Sequence, residues 1–395
     1  MKKHIFYAAM AAAAAAMMIS GCGTQVGGSA QSTSAQASSA AAESSAPAES
    51  EAASEAASEA ESGEAADAQK TVEKKFAQAP DVEPWNLTEE EQAAWEKEPA
   101  YGKTIKVGYN GGLCLGGFGI AQANGFYEAE GLKTEIFSMT STTDAVGTGK
   151  VDVAADHIAT LLVPAVNGVK MTFTTASATG CKSLYVLTDS DIKKTSDLIG
   201  KTVAVADGIG SSDMNITMRF FNHDNIDPNQ VNFKAVTNDA VILAMQKGEV
   251  QAATLSDQFA KKFVDDGTLR YIRSITWDPD FAEEPCCVMA INSDFMKANP
   301  ITSKKLTRAF RAASNWIEDN KEEAVDIMME NSWASGDKSV LLDMANSFNF
   351  RISDEATGAA LKDVIDDYKH FGLFDDNTAD TNVLLEKLWK PLIES

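Results

Sequence analysis

From about Tyr101 to Ser395, segments in which apolar residues recur every second residue alternate with segments in which they recur every three to four residues. Two-residue alternation predicts strands at KTIKVGY (103–109), LKTEIFSM (132–139) and VDVAA (151–155). The stretch GFGIAQANGFYEAEG (117–131) between the first two predicts one helix that ends at Gly131. Further helices are predicted at 141–150 and 157–169, before an extended stretch at 170–179. This β-α-β-α-β series predicts a parallel sheet whose binding loops follow the carboxyl ends of the strands.

A second series of the same kind begins near Asp197. Strands are predicted at 229–237, 251–257 and 269–277, with a helix at 239–250. The strand CCVMAIN (286–292) comes next, and helices continue to Trp389. Roughly 300 residues are many for one hydrophobic core, so the pattern predicts an α/β fold with two lobes and a C-terminal helical layer.

The N-terminus has the pattern of an export signal. Lys2 and Lys3 precede an apolar stretch, 5–19, which is long enough for a signal peptide and short for a membrane span. Residues 19–22, Ile-Ser-Gly-Cys, resemble the lipobox of bacterial lipoproteins. We therefore expect a signal peptide at 1–21, lipidation of Cys22 and attachment to the extracellular face of the bacterial cell membrane; an ordinary signal peptide is the alternative.

The next segment, 22–70, is nearly all Ala, Ser, Glu and Gly. It lacks the apolar surface that offsets chain entropy, so we expect a disordered tether. The segment 71–102 is predicted to be an N-terminal extension that docks on the main body, with a helix whose capping box pairs Thr88 with Glu91.

Charge excludes one class of partner. The formal net charge is -23, and residues 23–100 contain 16 acidic residues against four lysines, so about half of this charge lies in the tether and extension. The folded region has no basic stripe that could meet phosphates, and we expect no nucleic-acid partner. The stretch NGGLCLGG (110–117) matches neither GxGxxG nor the P-loop pattern, and we expect no nucleotide and no cofactor.

Candidate ligand contacts lie in the loops after the predicted strands. In ADGIGSSDMN (206–215), Gly210 relaxes a turn before Ser211 and Ser212, at the start of a helix whose free N–H groups favour anionic oxygens. Simple N-capping by Ser211, Ser212 or Asp213 is the alternative. His157 follows the predicted strand at 151–155 and is either a ligand contact or a structural histidine. Asn110 closes the first strand, where glycines allow close approach of the backbone to a ligand.

Four stretches together resemble the solute-binding proteins of nitrate, sulfonate, taurine and thiamine-precursor ABC importers, the NMT1/THI5-like family. They are KVGYNGG with GIAQANGFYEAEGLKTEIF, GKVDVAADHIATLLVPAVNGV, SDLIGKTVAVADGIGSS, and the stretch 244–250. The resemblance implies a type II periplasmic-binding fold: two α/β lobes, 103–187 with 286–395 and 188–285, joined by two hinge crossovers. It further implies a non-enzymatic, monomeric receptor that delivers a small organic anion or heteroaromatic solute to an ABC permease and its ATPase. The expected ligand-binding residues are Asn110, Gly111, Cys114, His157, Thr160, Thr179, Cys181, Gly210, Ser211, Ser212, Asp257, Cys286 and Cys287.

The cysteines other than Cys22 all map to the hinge and cleft on this fold, and several interpretations stay open. Buried free thiols are one, and a disulfide from Cys181 to Cys286 or Cys287 is another, since an exported chain permits it. Strand alternation predicts that one of Cys286 and Cys287 faces the ligand. A soft-metal site with His157 is a further interpretation, although no CxxC spacing supports it, and we expect no metal.

An enzymatic alternative comes from the same residues. The eukaryotic thiamine-pyrimidine synthases share the fold, and DHIAT (156–160) and PCCV (285–288) resemble shortened forms of their histidine and cysteine motifs. The predicted lipid anchor and tether favour the receptor over the synthase.

Overall fold

Two five-stranded sheets form the framework of this computed structural model, which describes residues 78–374 and 377–393. The predicted signal peptide, Cys22 and the tether lie outside the described residues. The strands are β1 (Thr104–Gly108), β2 (Lys133–Phe137), β3 (Val153–His157), β4 (Met171–Ala176), β5 (Lys182–Leu187), β6 (Thr202–Val205), β7 (Asn232–Ala235), β8 (Ala252–Ser256), β9 (Leu269–Ser274) and β10 (Cys287–Asn292).

Helices cover both sheets and form the C-terminal layer. They are α1 (Glu89–Trp95), α2 (Gly117–Ala123), α3 (Phe126–Ala129), α4 (Thr142–Gly147), α5 (Ile158–Val166), α6 (Ser212–His223), α7 (Asn238–Gln246), α8 (Asp257–Asp265), α9 (Ser293–Ala298), α10 (Pro300–Asp319), α11 (Lys321–Glu330), α12 (Lys338–Ser347), α13 (Asp354–His370) and α14 (Thr381–Leu388). Three short 3₁₀ turns complete the order: Leu113–Leu115, Thr195–Leu198 and Pro228–Gln230.

The first sheet has the order β2-β1-β3-β10-β4 and the second β7-β6-β8-β5-β9. In each sheet one strand that arrives from the other lobe runs antiparallel to its neighbours: β10 in the first and β5 in the second. The four strands of the first series, β1 to β4, run in the same direction, as the pattern predicts, and β10 is inserted antiparallel between β3 and β4. All six residues of β10 are buried, as expected for a central strand covered on both faces.

The predicted lobe boundary at residue 187 is wrong. β5 pairs with β8 and β9, so Lys182–Leu187 belongs to the second lobe and the chain leaves the first lobe after Ala176. Sequence periodicity cannot detect this, because β4 and β5 are both continuous buried strands and only their pairing partners differ. We define lobe 1 as the part built on the first sheet and lobe 2 as the part built on the second.

Two element boundaries differ from the pattern. The predicted helix 117–131 is two helices, α2 and α3, because Gly125 has φ 75° and breaks the helical path between them. The strand predicted at Val151–Ala155 is shifted to Val153–His157, so His157 is the last residue of β3 rather than part of the following loop.

The described part of the N-terminal extension docks on lobe 1, as expected. Its α1 has the predicted capping box between Thr88 and Glu91. Trp95 is buried, and its Nε1 donates to Thr302 Oγ1 at 3.0 Å. The carboxylate of Glu98 accepts from the backbone N–H groups of Ile301 and Thr302, at 2.6 and 2.9 Å. The extension thus caps the first turn of α10.

Replacing Glu98 by alanine is expected to lower the free energy of unfolding by about 1 to 2 kcal/mol, because two N-terminal N–H groups of α10 lose their acceptor. Urea unfolding followed by circular dichroism measures the change. Glu96→Ala is the matched control, since Glu96 is exposed and bonds only to Gln92 by its side chain among the described contacts. Equal stability of the two variants would contradict the capping role.

Candidate functional site

The two crossovers between the lobes run side by side. The first covers residues 177–181 and the second 275–286, between β9 and β10. Thr179 and Pro285 form an antiparallel bridge, and the Cys286 N–H donates to the Ala178 carbonyl at 2.9 Å. The hinge is therefore a short two-stranded connection at the centre of the molecule, as the family resemblance implied.

Two helix N-termini meet across the lobe boundary beside this hinge. Asn215 of α6 donates from Nδ2 to the Ala159 carbonyl in the first turn of α5 at 2.8 Å. α5 begins directly after His157, has no acidic residue in its first turn and receives no side-chain cap. Thr160, half-buried, lies in the same first turn. The partial positive charge of a helix N-terminus thus faces the cleft from both lobes.

The predicted serines lie at the start of α6 but do not cap it. Ser211 is the N-cap residue, yet its hydroxyl donates to the Gly208 carbonyl at 2.6 Å. The Ser212 hydroxyl donates to Asp207 Oδ2 at 3.3 Å. Gly210 is exposed with φ 77°. The alternative of simple capping by Ser211 is therefore not what the structure shows.

A buried lysine that sequence reasoning missed balances the acids of this turn. Lys182, the first residue of β5, pairs with Asp213 and with Asp207, the latter at 2.7 Å. Desolvation lowers the pKa of Lys182, but the charges of Asp213 and Asp207 outweigh it and raise the pKa well above its usual range. The side chain of Asp207 is half exposed, whereas Asp213 is 1% exposed. The one sequence feature that could have pointed to Lys182 is its position directly after Cys181, at the first crossover.

The first loop is closed by contacts of its own. The Asn110 side chain both donates to and accepts from the backbone of Met139, at 2.6 Å each, so its amide is committed to joining the ends of β1 and β2. Gly111 has φ 91°, and a Cβ there would lie 2.4 Å from the Trp333 carbonyl oxygen. Trp333 comes from the loop after α11, a position that no local pattern signals.

Two further predicted contacts are structural. Thr179 exchanges hydrogen bonds with Asn349, at 2.9 and 3.1 Å, and is buried. Asp257 is buried and accepts from Tyr185 and Thr276. Burial raises the pKa of Asp257 to about 6, against the effect of these hydrogen bonds. Both residues support the hinge from behind rather than present a free polar group to the cleft.

Four thiols and one imidazole converge at the hinge; we call this group the thiol cluster. The Sγ atoms of Cys181 and Cys286 are 3.1 Å apart, as are those of Cys286 and Cys287, and Cys287 Sγ lies 3.9 Å from Cys114 Sγ. His157 Nε2 lies 3.2 Å from Cys181 Sγ. All four cysteines are free in the structure, which agrees with the free-thiol interpretation and not with the alternative of a bridge from Cys181 to Cys286 or Cys287.

Both thiols of the cysteine pair reach the cluster, because β10 begins at Cys287 and Cys286 lies just outside the regular strand. That one of the two faces the ligand stays a prediction. Hydrogen bonds from the Cys114, Cys286 and Cys287 thiols hold the pKa of Cys181 well below its usual range. Burial lowers the pKa of His157, but the charge of Cys181 and the hydrogen bond to Asp156 raise it overall.

Ion pairs hold the lobes together on the side of α6 and α13. Arg219 of α6 donates to Glu284 of the second crossover at 2.7 Å and to Asp367 of α13 at 2.6 Å. His223, one turn further along α6, pairs with Asp367 at 3.1 Å and with Asp280 at 3.4 Å. Burial lowers the pKa of His223, but the hydrogen bonds to the two carboxylates raise it to about 9.

Stability is expected to depend on pH through His223. Its folded pKa of about 9 exceeds the unfolded value of 6.5, so its contribution is complete below pH 6.5 and is lost as the pH rises through 9. The stability gap between wild type and His223→Gln should shrink over this window by on the order of 1 to 2 kcal/mol after solvent screening. Urea unfolding at successive pH values measures it, with exposed His370→Gln as control. A gap that does not change with pH would contradict the assignment.

The described residues contain no helix that is both long and apolar enough to cross a membrane. Two lobes, two crossovers and one returning strand in each sheet define a two-lobed protein of the periplasmic-binding fold. Residues 115–324, just over half of the chain, match the family model described as NMT1/THI5 like. The chain belongs to the NMT1/THI5-like family.

Solved structures show the same fold at low sequence identity. The aliphatic sulphonate-binding protein SsuA of Escherichia coli matches with a TM-score of 0.58 and 16% identity, over 73% of this chain and 92% of that one. The nitrate-binding protein NrtA of Synechocystis PCC 6803 matches with 0.58 and 15%, over 73% and 86%. The Candida albicans CA3427 product, described as having the generic periplasmic binding protein fold, matches with 0.58 and 16%, over 73% and 96%. A search of curated proteins finds no match.

Proposed function

We propose that this protein is the solute-binding lipoprotein of an ABC importer, anchored through Cys22 on the extracellular face of the cell membrane. It acts as a monomer without catalysis, closes its lobes on a small organic anion or heteroaromatic solute, and delivers the solute to a membrane permease and its ATPase. The observation that carries the proposal is the pair of sheets joined by two adjacent crossovers, with the N-termini of α5 and α6 facing the cleft between them.

Local electrostatics support an anionic group on the solute. The first turn of α5 has neither an acidic residue nor a side-chain cap. The Ile158 N–H donates to the Cys286 carbonyl at 2.8 Å, which leaves the N–H groups of Ala159 and Thr160 as candidate donors to oxygen acceptors. At α6 the charge of Asp213 is balanced by Lys182. Beside the first loop, the Trp333 ring packs 5.7 Å from the Tyr109 ring, and we propose it as the aromatic neighbour of a planar solute. These features favour solutes such as alkanesulfonates and pyrimidine precursors of thiamine.

A thermal-shift panel tests the proposal. Alkanesulfonates, taurine, nitrate, thiamine-precursor pyrimidines and riboflavin-like compounds are added one at a time to the purified chain. A true solute binds only the folded state and raises the melting temperature with concentration by mass action. No shift with any member of the panel, across concentrations up to saturation of solubility, would contradict capture of this solute class.

We further propose that Ser211 and Ser212 contact the anion once their hydroxyls turn from the Gly208 carbonyl and Asp207 toward it. Ser211→Ala combined with Ser212→Ala is expected to weaken an anionic solute by about 1 to 3 kcal/mol, the range for a lost hydrogen bond to a charged group. Isothermal titration calorimetry measures the affinity. Ser190→Ala is the control, because Ser190 lies beyond the end of β5 that points away from the hinge. Equal affinity of all three proteins would place the anion elsewhere.

A further inference from the structure

The thiol cluster has a composition that organic-solute capture does not require. All four cysteines of the described ranges, 78–374 and 377–393, lie in it. They come from three separate segments: Cys114 from the loop after β1, Cys181 from the first crossover, and Cys286 with Cys287 from the second. The fold thus gathers every described thiol at the point where the two lobes are joined.

The imidazole of His157 is oriented toward these thiols. Its Nδ1 lies 3.1 Å from Asp156 Oδ1, and its Nε2 lies 3.2 Å from Cys181 Sγ. A carboxylate on one ring nitrogen fixes the tautomer and ring plane and leaves the other nitrogen as a ligand, which is the usual arrangement around metal-bound histidine. Packing of apolar thiols would give no reason for this carboxylate-histidine pair.

The spacing of the ligand atoms matches a tetrahedral site. Sulfur and nitrogen ligands at about 2.0 to 2.3 Å from a central ion lie about 3.3 to 3.8 Å from one another. The ligand atoms of His157, Cys286 and Cys287 all lie within 4.8 Å of one another. Cys181 Sγ lies 3.1 Å from Cys286 Sγ and 3.2 Å from His157 Nε2. Cys181 is outside that three-residue group, and a shift of its thiol toward Cys287 would complete four ligands around one ion.

Backbone conformation and access agree with a binding role. Cys181 has φ 96°, a backbone conformation that favours glycine. A cysteine at this strained position suggests that its thiol has a function. The side chain of His157 is 18% exposed, and Cys181 and Cys286 are each 8% exposed, which leaves a route from the cleft to the ligand atoms.

We propose that His157, Cys181, Cys286 and Cys287 bind one thiophilic d10 metal ion, of the zinc or copper(I) class, at the floor of the cleft. Thiolate and imidazole ligands select such soft or borderline ions over magnesium or calcium. Asp156 is a positioning residue that acts through His157, and the Cys114 thiol lies beside the site, 3.9 Å from Cys287 Sγ. The site uses other residues than the serine turn of α6, so it stands whether or not the cleft takes an organic anion.

Spectroscopic titration of the full chain tests the site. Cobalt(II) is added to the anaerobic, fully reduced protein, in which free thiols have been counted. One equivalent should produce thiolate-to-cobalt charge-transfer absorption in the near ultraviolet and the visible bands of tetrahedral cobalt. Zinc should then displace cobalt, and competition with a copper(I) chelator tells the two ion classes apart. Absence of the charge-transfer band, with all thiols reduced, overturns the proposal.

Variants assign the ligands. Cys286→Ser and Cys287→Ser should each weaken cobalt and zinc binding by on the order of 100-fold or more, and Asp156→Asn by about 10- to 100-fold. The surface variant His370→Gln should bind as wild type does. Retention of full affinity by the Cys286 and Cys287 variants overturns the proposal.

Alkylation of the wild-type protein gives a result that does not depend on variant folding. One equivalent of zinc should slow the modification of Cys181, Cys286 and Cys287, as read by mass spectrometry of peptides, and leave Cys114 reactive. Unchanged rates at all four cysteines overturn the proposal. The organic-solute panel is run separately without metal, so a failure there leaves this result intact.

Discussion

Lys182→Met is expected to lower the free energy of unfolding by about 3 to 5 kcal/mol, because removing one partner of a buried ion pair leaves the other charge uncompensated. Asp213, 1% exposed, then has no cation beside it, and Asp207 loses its partner as well. Urea unfolding at pH 7 measures the change. Solute binding should weaken in parallel, since Lys182 fixes the turn that precedes α6.

Two further variants separate the ion pair from general disruption. Lys182→Met combined with Asp213→Asn should recover part of the lost stability, because no buried carboxylate is then left unpaired. Lys234→Met removes an exposed pair with Glu249 and should change stability by less than about 0.5 kcal/mol. If the double variant is no more stable than Lys182→Met alone, the pairing with Asp213 does not account for the loss.

Arg219→Met should have an effect of similar size and should also loosen the lobes. Its guanidinium is 7% exposed and joins α6 to Glu284 and Asp367, while the cation lies 5.0 Å over the Phe281 ring. Loss of the cation removes this partner of Glu284 and leaves Asp367 with His223 and Asn222, and we expect a destabilisation of about 3 to 5 kcal/mol. Urea unfolding measures the stability, and small-angle scattering should show a larger radius of gyration without ligand.

Arg219→Lys distinguishes charge from geometry. Lysine keeps the cation but cannot reproduce the two-sided fork that meets Glu284 and Asp367 together, so an intermediate loss is expected. A Lys variant as stable as wild type would mean that charge alone holds the lobes here. A Met variant as stable as wild type would contradict the structural role of the pair.

Local sequence patterns predicted helices and strands well where the hydrophobic period or a capping motif was clear. Strand and helix periods located β1, β2 and α5 to within a few residues, and the Thr88–Glu91 capping box is present. Sequence reasoning also placed His157 and the cysteines in the hinge region, because the carboxyl ends of strands and the crossovers are fixed by element order. The division of the two lobes at residue 187 was wrong, since β4 and β5 have the same buried pattern and only their partners differ.

The roles of the predicted cleft residues could be assigned only from tertiary contacts. Asn110 and Thr179 were predicted as ligand contacts, but partners distant in sequence, Met139 and Asn349, occupy their hydrogen-bonding groups. Lys182 was missed because a lysine at the start of a strand reads as exposed until Asp213, 31 residues later, is brought beside it. Long-range contacts therefore determine which polar groups are already hydrogen-bonded within the protein.

By itself, the sequence determined the α/β class and the presence of two lobes, because these follow from periodicity and the order of elements along the chain. The family was indicated by the resemblance of four stretches to known solute-binding proteins. The tertiary structure alone decided which sheet receives β5, that Cys286 and Cys287 both reach one cluster, and that His157 is aimed at their thiols by Asp156. The physical reason is that strand pairing and side-chain packing bring together residues more than 100 positions apart, such as Cys181 and Cys286. A local sequence pattern covers only a few neighbouring residues and cannot predict such contacts.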